Sequence, residues 1–144
     1  MDKHSIILAA LAPAKRDAHT PIQVQKMLFL LDKNIPEYIN GPLFHFKAFH
    51  YGPYDKNIYR VIDELSEQGL IEIDIDEVGK IWRTYRLTRL GQTKGEEILK
   101  ALEEAPRKYI KDVSDFIYKV SLGELIAAIY NEYPEMKVNA VFQE

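Results

Sequence analysis

The chain has 144 residues and 16.7 kDa, of which 47% are apolar and 28% charged, the balance of a globular domain with one core and not of a disordered segment. No apolar run nears the roughly 18 residues needed to cross a bilayer, and the stretch Ile6 to Ala14 leads into Lys15, Arg16 and Asp17 instead of a cleavage site, so a cytoplasmic protein is expected. With no cysteine there is no disulfide or thiolate chemistry, and a net charge of −3 is not the basic surplus usual in nucleic-acid-binding domains.

A first helix is predicted over Lys3 to Leu11, with Ile6, Ile7 and Leu11 on one face and Pro13 beyond its end. Thr20, Pro21 and Gln23 form a T-x-x-Q capping box for a second helix. Its core stripe is Val24, Met27, Leu28 and Leu31, and Pro36 closes it. Gly41-Pro42 marks a turn, Leu43 to Tyr51 reads as extended, and Gly52-Pro53 punctuates again. Asp55 is placed to cap a third helix, Lys56 to Gln68, with Ile58, Val61, Ile62 and Leu65 inward and Gly69 at the left-handed position after its end.

A strand over Leu70 to Ile75 follows, with Ile71, Ile73 and Ile75 on one face and Glu72 and Asp74 on the other. Asp76 to Lys80 make a polar loop, and Ile81 to Leu87 return as a second strand. Thr88 caps a helix over Arg89 to Leu102. This order spells a winged helix-turn-helix, so the expected class is α+β, mainly α, with a two-stranded wing. Two further helices are predicted: Pro106 to Val120, with Tyr109, Val113, Phe116, Ile117 and Val120 on a stripe, and Leu122 to Tyr133, opened by the S-x-x-E box of Ser121 and Glu124. The division expected is a winged-helix domain over residues 1–104 and a helical extension over 105–144, which either enlarges the core or forms a partner or dimer face.

No enzyme is expected. There is no G-x-S-x-G elbow and no G-x-x-x-x-G-K loop, and Gly91 to Gly95 falls inside a helix by periodicity. Asp63-Glu64 and Glu96-Glu97 read as solvated surface charge, since acid–base pairs need burial to separate their pKa values. The four histidines have no i, i+4 pair; His45 and His50, five apart in an extended segment, point to opposite faces. Neither a metal nor a cofactor is expected.

Two binding surfaces remain. One is a DNA reader: Lys56, Asn57 and Arg60 on the third helix, Lys80 at the wing tip and Arg83 behind it, with Arg86 and Arg89 further on. In a dimer, Lys15, Arg16 and Lys26 could also reach the duplex. Residues 54–105, which hold that helix and ribbon, carry eight Lys/Arg against twelve Asp/Glu. Each carboxylate there opposes docking to phosphate, and the strand arginines have Glu72 and Asp74 as cross-strand partners. The other surface is aromatic: Phe44, Phe46, Phe49, Tyr51, Tyr54 and Tyr59 lie within sixteen residues around Gly52 and Pro53. Aromatics on rigid turns serve protein interfaces, although some must also cover the core.

Several segments resemble a known family. Gln25-Lys26-Met27-Leu28-Phe29-Leu30 is similar to the QK-[LM]-[LI]-[YF] helix of the Panacea/SocA-like antitoxin domain and the related YwgA-like proteins. Gly41-Pro42-Leu43-Phe44 resembles that domain's G-x-P-L-F segment, shortened by one residue, and Tyr51-Gly52-Pro53-Tyr54 resembles its Y-G-P element. The likeness covers roughly residues 5–100. It implies a non-enzymatic partner that neutralises a toxin encoded beside it, with Tyr51, Gly52, Pro53 and Tyr54 positioning the binding surface. From the residues alone, a DNA-binding regulator stays open as the alternative.

Overall fold

The computed structural model describes residues 1–75 and 83–141. Among them are seven helices and two small antiparallel sheets, so the class is α+β and mainly α. The expected wing loop, with Gly79 and Lys80, and the start of its second strand at Ile81 lie outside the described residues.

Helix α1 (Lys3–Leu11) is the centre of the molecule. Asp2 caps it by accepting from Ser5 N at 2.7 Å. Every residue from Ile6 to Leu11 is buried, not only the expected face of Ile6, Ile7 and Leu11. A helix apolar all round must be enclosed, and α1 packs against α2 (Pro21–Asn34), α4 (Asn57–Glu67), α5 (Arg89–Ala101) and α6 (Glu104–Lys119). Glycine makes the α5 crossing close. A Cβ at Gly95 would stand 2.6 Å from Leu8 O, and one at Gly91 would stand 1.9 Å from Leu70 O.

Local chemistry fixes most boundaries where expected. The Thr20–Gln23 box at α2 is complete, with Thr20 Oγ1 accepting from Gln23 N and Gln23 Oε1 accepting from Thr20 N. The Ser121–Glu124 box does the same for α7 (Leu122–Glu132). Thr88 caps α5 through Gly91 N. Helix α4 ends in a Schellman motif at Gly69: its N–H donates to Ser66 O and that of Leu70 to Leu65 O. Strands β3 (Ile71–Ile75) and β4 (Arg83–Leu87) pair in the register Ile71↔Leu87 to Ile75↔Arg83. Burial fades along β3, from buried Ile71 to Ile75 at 57% exposed, because the ribbon leaves the body.

Other expectations need correction. Pro36 opens a helical turn, α3 (Pro36–Ile39), instead of simply ending α2; proline suits the first helical position. The segment before Asp55 is a hairpin of β1 (Lys47–Phe49) and β2 (Gly52–Tyr54), so Gly52 and Pro53 are strand residues. Asp55 turns the chain into α4 by accepting from Asn57 N, and the helix proper begins at Asn57. Helix α6 starts at Glu104, ahead of Pro106. On its stripe Phe116 is 37% exposed, while Ile110, absent from that stripe, is fully buried. The last two helices share the one core: Ile110, Val113, Ile117, Leu125, Ile126 and Ile129 belong to the same buried cluster as α1 and α2.

Candidate functional site

The site grows out of the polar residues of α2. Gln25 and Asp32 are two turns apart on one face of that helix, and Lys26 adjoins Gln25. All three are buried, at 1%, 6% and 2% exposure. Buried polar groups of this kind call for partners, and each finds at least one in the loop and hairpin between Gly41 and Asp55. The carboxylate of Asp32 accepts from Leu43 N at 2.7 Å and from Phe44 N at 2.8 Å. Gln25 Nε2 donates to Asp55 O and Gln25 Oε1 accepts from Asp55 N, both at 2.9 Å. Lys26 Nζ donates to Pro53 O at 3.0 Å. Asp55 adds a clamp of its own, accepting from His45 N at 2.9 Å.

The segments that carry the family resemblance are thus physically joined: Gln25 and Lys26 hold the backbone of the stretch that follows Tyr51. Gly52 is part of the fit, with φ of +100° and a would-be Cβ 3.3 Å from Lys26 Cε. Burial pulls the Lys26 ammonium down to about 8, and among the described residues no carboxylate acts on it to reverse the shift. Lys26 is therefore not available to a duplex, contrary to the expectation for a dimer.

The aromatic residues divide into two groups. Phe44 is 4% exposed and belongs to the core, and half-buried Phe46 packs edge-on against Phe29 with centroids 5.4 Å apart. Gly52 and Pro53 are buried as well, so their part is to shape the hairpin and not to touch a partner. Phe49 and Tyr51 are 45% and 44% exposed. Phe49 stacks on His50 at 4.3 Å and on Tyr54 at 5.0 Å, Tyr54 leans on Tyr59 at 5.9 Å, and Tyr59 approaches buried Tyr85 at 6.5 Å. A ladder of rings therefore runs from the surface into the core. Beside Gln25, the half-buried Tyr59 phenol is pushed up to about 12, mainly by desolvation.

The candidate DNA-reading side chains are mostly engaged with neighbours. Arg60 pairs with Glu64 and donates to Asn57 Oδ1 at 2.8 Å, and Glu64 also accepts from His4 Nε2 at 2.9 Å. Arg86 bridges Glu72 at 3.8 Å and Asp74 at 2.9 Å, the expected cross-strand arrangement. Lys15 pairs with Glu96, and Arg16 Nε donates to Leu87 O. Lys56 and Arg83 are exposed, and Lys80 lies outside the described residues. His45 and His50 are both exposed. Among the described residues no three His, Asp or Glu side chains stand together as a metal site, and no helix is long and apolar enough to cross a membrane.

Sequence patterning alone does not identify the buried polar clamps on α2 as site builders. The available signal was the placement of Gln25 and Asp32 seven apart, on a helix whose neighbouring positions are apolar. The chain matches no protein-family model and no curated protein.

Proposed function

We propose that this chain is a non-catalytic protein-binding module of antitoxin type, built on a winged helix-turn-helix, which neutralises or delivers a protein partner such as a toxin. The sequence of α4, Gly69, the β3–β4 ribbon and α5 fits that scaffold. One contrast carries the reading. Where a duplex would dock, Arg60 and Arg86 are neutralised by Glu64, Glu72 and Asp74. On the hairpin, Phe49 and Tyr51 stand exposed on a turn anchored by buried hydrogen bonds. Rigid exposed aromatics give large contact area for little lost entropy, which suits a polypeptide ligand. The linkage of the family-like segments through Gln25 and Lys26 supports the same assignment.

The test is co-expression with the product of the adjacent open reading frame, followed by co-purification and growth rescue. Phe49→Ser with Tyr51→Ser should weaken a complex by about 2 kcal/mol or more, as for interface hot spots. Absence of a complex together with absence of rescue would count against the module. Nanomolar, steeply salt-dependent binding to an operator, lost in Arg60→Ala, would replace it with the transcriptional regulator.

A further inference from the structure

Beneath the exposed hairpin rings lies a cavity of about 170 Å³, lined by Ile22, Gln25, Lys26, Phe49, Tyr51, Gly52, Tyr54 and Tyr59. Its size is that of one ring: a dry apolar cavity of roughly 150 Å³ is enough to take up benzene. Rings around a hole also favour a cation over their faces. Here Lys26 decides the sign. The residue is 2% exposed, and its ammonium adjoins Gly52, a lining residue, with Nζ 3.7 Å from where a Cβ there would stand.

Among the described residues Lys26 makes one hydrogen bond, to the neutral Pro53 carbonyl, and no ion pair. An ammonium has three donors, and a buried charge is ordinarily paired. Besides the tyrosine hydroxyls, the remaining polar group in the wall, the Gln25 amide, is spent on both sides of Asp55. Among the described residues the cavity therefore offers aromatic walls, one uncompensated positive charge and no lining carboxylate.

We propose that this cavity binds a small single-ring aromatic carboxylate, its ring among Tyr51, Tyr54 and Tyr59 and its carboxylate on Lys26. The site does not depend on the protein-binding reading, because it needs no partner chain. It does lie directly under Phe49 and Tyr51, so an occupant would stiffen the face those rings present.

Benzoate titrated into the full chain, followed by amide NMR shifts or calorimetry, tests this against benzyl alcohol, its neutral analogue. Benzoate should bind with Kd of about 1 mM or tighter, roughly tenfold better than benzyl alcohol, as a charge-assisted bond to a desolvated cation implies. Lys26→Gln keeps a donor for Pro53 O and removes the charge, and should abolish that preference. Ile22→Trp, which fills the cavity from its half-buried rim, should abolish both affinities while leaving the circular dichroism spectrum unchanged. Equal affinity for the two probes, no binding of benzoate in the millimolar range, or full benzoate affinity in Ile22→Trp would each overturn the proposal, whether or not Lys26→Gln folds.

Discussion

The side-chain amide of Gln25 and the peptide groups of Asp55 form a closed pair, each donating to and accepting from the other at 2.9 Å, thirty residues apart in sequence. A side chain here replaces the missing strand that would otherwise satisfy the end of the hairpin. Gln25→Leu keeps the volume but leaves the Asp55 N–H buried and unmatched, while its C=O keeps only the bond from Ile58 N. It should destabilise the fold by about 1–3 kcal/mol, the range typical of one orphaned buried group, read as a lower urea midpoint.

The exposed and buried aromatics should separate cleanly in stability. Phe44→Ala removes a ring from the core and should lower stability by about 3–5 kcal/mol. Phe49→Ser and Tyr51→Ser act on rings nearly half exposed and should each change it by no more than about 1 kcal/mol. Thermal melts of the three variants check this. A large loss in Tyr51→Ser would mean that the ring serves the core and not a binding face.

His19 gives a pH dependence of defined sign. It is 1% exposed, sits edge-on to Tyr118 with centroids 5.1 Å apart, and neither ring nitrogen makes a well-formed hydrogen bond. Desolvation lowers it to about 4, only partly opposed by the backbone and carboxylate of Asp17. The fold therefore favours neutral imidazole. Its contribution is complete above about pH 6.5, the unfolded value, and drains away as pH falls towards 4, where about 3 kcal/mol has gone. Urea midpoints measured at about pH 7 and about pH 4 should fall less in His19→Leu than in the native chain.

Gly91 illustrates steric need prevailing over propensity. Alanine in a helix interior is better than glycine by about 1 kcal/mol, yet its Cβ here would lie 1.9 Å from Leu70 O, a carbonyl already fixed by Thr88 N. Overpacking should dominate, so Gly91→Ala should lose at least about 2 kcal/mol in denaturant titration.

The helices were legible because each carries its own chemistry at its ends: Thr20 with Gln23, Ser121 with Glu124, Thr88, and the Gly69 stop all act within a few residues. The β1–β2 hairpin was not legible. Its three-residue strands have no period to detect, and they are held by α2 side chains distant in sequence. The aromatic cluster was visible as a composition, but which rings face outward was not. Asp32 holds the Phe44 N–H at the core, while Phe49 lies on the hairpin that Lys26 and Gln25 hold at Pro53 and Asp55, and that is tertiary information. The pairing of Arg86 with Glu72 and Asp74 could be read, because cross-strand partners follow directly from register, whereas Arg83 stands opposite Ile75.

The enclosure of α1 has a consequence for how the chain is made. The most water-averse helix is translated ahead of the helices that cover it, and two of these, α5 and α6, leave the ribosome last among its neighbours. Until about residue 117 has emerged, Ile6 to Leu11 have only part of their cover. Nascent chains halted before that point should be sticky and prone to capture by chaperones or proteases, so the amount of working protein in a cell would depend on uninterrupted synthesis as much as on the stability of the finished fold.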